Sequence, residues 1–197
     1  MAIDKEVMTP RMYELWYKLR LLATYDPNLT VFGSYQHKYR FYPCLTESEV
    51  REFEQVHQVS LPEEYRRFLL EIGNGGVGPD YGLRRLLDPR RSVPELISHS
   101  WPHRTEWNLS RDQFASVQEF NVEYEREQQA QGSLALCDMG CGYEILLVVT
   151  GEERGTIWQD LRAGDGGIVP LQNVKSGSER MSFSEWYEDW LDKSLTS

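Results

Sequence analysis

The chain has 197 residues, 40% hydrophobic and 26% charged, and its 31 acids against 21 bases leave a formal net charge of −10. Such a surface repels phosphate backbones and anionic lipid, which argues against nucleic acid and membrane surfaces as direct partners and for a basic protein, unless the charge serves only solubility. Three cysteines (Cys44, Cys137 and Cys141), a mixed-charge N-terminus (MAIDKEV) and the lack of a ~20-residue apolar run point to a reduced, cytoplasmic protein with neither signal peptide nor membrane span.

Thr9 and Pro10 read as the N-cap and first residue of a helix over 10–23, with Met12, Leu15, Trp16, Leu19 and Leu22 on one face. Asp26-Pro27-Asn28 ends it with turn chemistry. Residues 29–42, rich in β-branched and aromatic side chains, read as a strand or extended segment broken at Gly33-Ser34. Thr46 and Glu49 form a capping box for a helix to about Gln58 that buries Val50, Phe53 and Val56. A second box, Ser60 with Glu63, opens a helix whose apolar face is Tyr65, Phe68, Leu69 and Ile72, giving a helical hairpin with a short link. Gly73-Asn74-Gly75-Gly76 stops this helix, because glycine and sometimes asparagine adopt the left-handed C-cap cheaply.

Residues 84–108 read mostly as a long surface loop, with Pro89, Pro94 and Pro102 among basic residues. The charged run 110–131 is ambiguous. Beyond Gly132 the pattern turns to strands: Leu134–Cys137, the near-continuous apolar run Tyr143–Thr150, Thr156–Asp160 after a turn at 151–155, and Ile168–Leu171. The apolar run marks a central strand covered on both faces. Ser182 and Glu185 make a third capping box, for a last helix with Phe183, Trp186, Tyr187, Trp190 and Leu191 on one face. Helices first, hairpins second and a closing helix give one α+β domain.

Chemistry-bearing patterns are sparse. Cys137-x3-Cys141 and His99-x3-His103 have spacings a zinc site uses, but Cys137 falls in an apolar strand and Pro102 interrupts the histidine pair, so no metal is expected. A reactive thiol needs a cation or a helix N-terminus to lower its pKa, and Asp138 near Cys141 works the other way. The glycines of Gly73–Gly78 follow a helix, whereas a phosphate loop precedes one and carries Gly-Lys-Ser/Thr. Acid pairs such as Glu63/Glu64 and Glu188/Asp192 lie on polar helix faces, which suits solvent or a protein partner better than acid–base chemistry. No catalytic residue and no cofactor is expected. Candidate protein-binding residues are exposed groups on loops: Asp80 and Tyr81 after the glycine cap, Trp101 and Trp107 in the irregular stretch, and Glu152 and Glu153 at a hairpin tip. For the two tryptophans, pinning the loop to the core is the competing role.

The stretch Leu61–Leu83 (LPEEYRRFLLEIGNGGVGPDYGL) resembles the signature of the SUKH superfamily, in Leu61-Pro62, Tyr65, Phe68-Leu69, Asn74-Gly75-Gly76, Gly78-Pro79 and Tyr81-Gly82-Leu83. Leu134–Asp160 and Ser182–Leu195 are similar to later blocks of bacterial members, in the same order. The superfamily holds the fungal Smi/Knr regulators of cell-wall synthesis and many bacterial immunity proteins. The resemblance implies an α+β fold, a mostly antiparallel or mixed sheet flanked by helices, over residues 31–197, with residues 1–30 as an N-terminal helical extension. It implies binding rather than catalysis: an immunity protein that neutralises a basic toxin domain such as a nuclease or deaminase. The alternative it leaves open is a regulatory or scaffold domain that binds cellular proteins. The signature does not locate a binding face.

Overall fold

The computed structural model describes residues 8–88, 94–174 and 177–196, so the mixed-charge N-terminus and Pro89 lie outside the described residues. Four strands form one antiparallel meander in the order β1-β2-β3-β4: β1 Ser133–Gly140, β2 Tyr143–Val148, β3 Ile157–Asp160 and β4 Ile168–Pro170. The apolar run in β2 is explained by its position. Ile145, Leu147 and Val149 point into the main core, while Leu146 and Val148 point the other way, into a second cluster with Trp101, Trp158 and Ile168. Strand alternation thus divides one run between two apolar layers.

Helices cover the main-core face: α1 Pro10–Tyr25, α2 Ser34–His37, α3 Glu47–His57, α4 Glu63–Glu71 and α6 Phe183–Thr196, with α5 Val117–Tyr124 beside the second cluster. Phe68 of α4 is fully buried among Phe41, Phe183 and Tyr187, with ring centroids 6.0, 5.2 and 5.1 Å away. The stretch before residue 31 shares this core: Met12, Leu15, Leu19 and Leu22 of α1 are all buried in it. On the polar side Lys18 of α1 reaches Glu188 of α6 at 2.7 Å.

The expected capping boxes form at two of three sites. Thr46 and Glu49 exchange both bonds at the start of α3, and Ser182 and Glu185 do so before α6. The third does not form. Pro62 holds an extended backbone (φ −53, ψ 135), so α4 begins only at Glu63 and Ser60 caps nothing. The Leu61 amide is satisfied instead by Glu54 at 2.8 Å, and the carbonyls of Ser60 and Leu61 accept from Arg154. Val56, expected inside, is 67% exposed. Residues 29–42 are not a strand. Gly33 at φ 76 opens the short α2, Lys38 and Tyr39 follow in left-handed geometry, and only Phe41 makes a bridge, to Gly76.

Two glycines have no substitute. A Cβ on Gly76 (φ +107) would sit 2.3 Å from the Arg40 carbonyl oxygen, and one on Gly33 (φ +76) would fall on the Asp80 carbonyl. The glycine stop therefore brings 31–42 and 76–84 into backbone contact. Asn74 extends the arrangement, its buried Oδ1 accepting from the Leu86 amide at 2.8 Å. Arg84 N donates to Leu136 O at 2.7 Å, so this segment also covers the outer edge of β1.

Candidate functional site

The packing of 31–42 against 76–84 leaves a cleft along their junction. It consists of two adjoining cavities of about 580 and 400 Å³ that share Gln36, Tyr42, Tyr81 and Leu83. Tyr81 is held by its amide, which donates to Asp138 O at 3.4 Å, and by its ring, 5.2 Å from that of Phe32. Phe32, Tyr35 and Tyr42 are 59, 56 and 44% exposed. The Arg85 guanidinium lies over Tyr42, 4.6 Å from the ring centre. Asp80 stands behind this wall in left-handed geometry (φ 52), its carboxylate 3.7 Å from the Cys137 sulfur. Burial raises the pKa of Asp80, and Asp138 adds to it against the opposing thiol contact.

Trp101 and Trp107 go elsewhere. Trp101 is 6% exposed and stacks edge-on against Trp158, with ring centroids 5.2 Å apart. Trp107 packs partly buried on Tyr124 at 5.4 Å, and its backbone pairs with Ile168 of β4. Both hold the irregular stretch against the sheet, so residues 94–108 are more than a surface loop: Ile97 and His103 are buried as well. Glu152 and Glu153 do sit beyond β2, but each has a cation: Glu152 pairs with Arg104, and Glu153 with Arg180.

A second opening of about 520 Å³ lies on the same face of the sheet as the tryptophans. Its floor includes Leu146, Ala130 and Ala135, and around it stand Glu95, Glu125 and Glu127, all exposed. No ion pair reaches these three carboxylates among the described residues. Glu144 and Asp160, also at this groove, are engaged by Arg84 and Arg162 at 2.6 Å each.

Nothing in either opening resembles a reactive centre. Cys137 is fully buried, and burial, reinforced by the Asp80 charge, pushes its thiol well above the usual range. Such a thiol is a poor nucleophile. His103, of the histidine pair, is buried with Nε2 2.7 Å from the Gln129 carbonyl, while His99 is exposed. Among the described residues no group of three or more His, Cys, Asp or Glu could hold a metal ion. No helix among them is long and apolar enough to cross a membrane.

Sequence reasoning placed Asp80 and Tyr81 together and missed their neighbours. Tyr35, Arg40 and Tyr42 are hidden in a stretch whose composition reads as a strand or extended segment, although YQHKYRFY interleaves bases with aromatics in a way a buried strand does not. Glu95, Glu125 and Glu127 carry no local signal, since what unites them is the sheet beneath.

A family model described as the SMI1 / KNR4 family (SUKH-1) matches residues 44–190. The chain belongs to this family. The SUKH-1 match contains α3, α4, the glycine stop, the whole sheet and most of α6. It begins after the α2 segment, so the cleft has one wall inside the family region (Tyr81 to Asp88) and one outside it (Phe32 to Tyr42). The three groove carboxylates all lie inside it. No curated protein and no solved structure matches this SUKH-1 chain.

Proposed function

We propose that this SUKH-1 protein is a protein-binding module of immunity type, which neutralises a basic toxin domain, such as a nuclease or deaminase, in the cytoplasm. The reading is carried by the groove on the sheet. Three exposed carboxylates with no ion pair among the described residues surround an apolar floor, on a molecule of net charge −10. Unpaired charge at a partly apolar surface steers a complementary partner and raises its association rate. Three free cysteines, one of them buried, fit a reducing compartment. The buried, neutral thiol supports binding rather than catalysis.

The test is kinetic. Basic toxin-like domains encoded near this gene, where there are any, are passed over the immobilised protein at several salt concentrations. Reversing Glu125 and Glu127 to Lys is expected to slow association about tenfold and to flatten its salt dependence. Reversing Glu152 and Glu153, already paired within the chain, is expected to change the on-rate less. An on-rate indifferent to Glu125 and Glu127 removes the groove as the binding face. The alternative, a regulatory domain for cellular proteins, draws its support from the aromatic cleft, whose chemistry differs from the groove's.

A further inference from the structure

We infer that the cleft between the α2 segment and the glycine stop is a second docking surface, one that takes an extended acidic segment of a partner protein. It lies apart from the carboxylate groove and does not depend on the immunity reading. The lining is mixed in charge and the signs are unevenly placed: Asp138, exposed and accepting from the Gly140 amide at 2.7 Å, and Asp88, paired with Arg85 at 3.2 Å, both line the larger cavity. Arg40, by contrast, is exposed and makes no ion pair among the described residues, and the same holds for Lys38 beside it. Arg84 and Arg85 each have a carboxylate partner, Glu144 at 2.6 Å and Asp88 at 3.2 Å. On a chain of net charge −10, a lining with three arginines against two aspartates, one of those arginines exposed and without an ion pair among the described residues, departs from the overall balance of charge.

The aromatic residues decide the shape of the occupant. Phe32, Tyr35 and Tyr42 stay exposed at the cleft or beside it, and such rings are favoured anchors for peptide side chains. Two cavities that share a wall make an elongated trough, suited to a run of residues rather than to one compact group. The Arg85 guanidinium, paired with Asp88, lies over the Tyr42 ring and holds that ring in place.

The experiment uses the full chain and two fluorescein-labelled peptides of equal length, one rich in Asp and Glu with a single aromatic residue, the other its Lys-rich counterpart. Fluorescence polarisation is expected to show saturable binding of the acidic peptide, although the molecule as a whole repels it. Arg40→Glu and Tyr42→Ala are each expected to weaken that binding about tenfold. Both side chains are exposed, and far-UV circular dichroism with a thermal melt checks that the variants fold; Lys38→Glu is a further variant at the same wall. The Glu125→Lys, Glu127→Lys double variant should bind the acidic peptide at least as well as the parent, which separates this surface from the groove. No saturable binding of the acidic peptide, or equal binding by parent, Arg40→Glu and Tyr42→Ala, overturns the proposal.

Discussion

Asp26 holds together the segment on which the cleft's outer wall stands. Its Oδ1 accepts from the Thr30 amide and hydroxyl at 2.7 and 2.8 Å, and its Oδ2 from the Val31 amide and the Tyr39 hydroxyl at 3.1 and 2.7 Å. Burial opposes the charge, but these four donors outweigh it and lower the pKa from 3.8 to about 2. His37, two residues before Tyr39, is pushed the same way by a different cause. Burial lowers its pKa from 6.5 to about 4, against a smaller opposing pull from the Gly78 backbone. Both folded pKa values lie below the unfolded ones, so both groups contribute stability that is complete above the unfolded pKa and is lost as pH falls. The windows differ: His37 acts between 6.5 and about 4, Asp26 between 3.8 and about 2. Urea midpoints measured against pH should fall in two steps. His37→Asn is expected to flatten the upper step, and Asp26→Asn the lower one while costing about 1–3 kcal/mol at neutral pH. A pH profile unchanged by either substitution would contradict the assignment.

At the scale of elements, what could be read in advance depended on how local the cause was. The boxes at Thr46/Glu49 and Ser182/Glu185 are closed within one turn, and both were legible. Thr46→Ala is expected to cost about 1 kcal/mol in chemical denaturation, through the loss of that cap. Ser60/Glu63 has the same spacing, but Pro62 between them keeps the backbone extended, and the competing partners, the acceptor Glu54 and the donor Arg154, come from other parts of the chain. The 29–42 segment has strand composition, yet Gly33 and the left-handed pair Lys38 and Tyr39 turn it before a ladder can form. Half of the cleft was invisible for that reason. The tryptophans show the same limit: residue type announced an anchor, but whether Trp101 met a partner or the sheet was settled by Trp158, 57 positions on. Trp101→Ala, at this fully packed site, is expected to lower stability by about 3–5 kcal/mol, read from the denaturation midpoint. A loss under about 1 kcal/mol would mean that the second cluster does not hold the 94–108 stretch in place.

The whole molecule separates what is fixed from what is offered. The family signature is the fixed part: Phe68 at the centre of the core, Asn74 and Gly76 tying the helical hairpin to the following segment, and β2 shared between two apolar layers. These residues specify the SUKH-1 fold, and that is why the fold was readable from one stretch of sequence while the surfaces were not. Net charge said only that a basic partner is favoured. Where that charge is uncommitted depends on which carboxylates find an arginine, and among the described residues Glu152 and Glu153 find one while Glu125 and Glu127 do not. The most direct test of the immunity reading is a titration of a basic nuclease or deaminase toxin domain, should one be encoded beside this gene, its activity followed as the purified protein is added. The reading requires activity to fall to background near one equivalent, with the Glu125→Lys, Glu127→Lys variant needing a large excess. Full toxin activity in the presence of excess parent protein would contradict it.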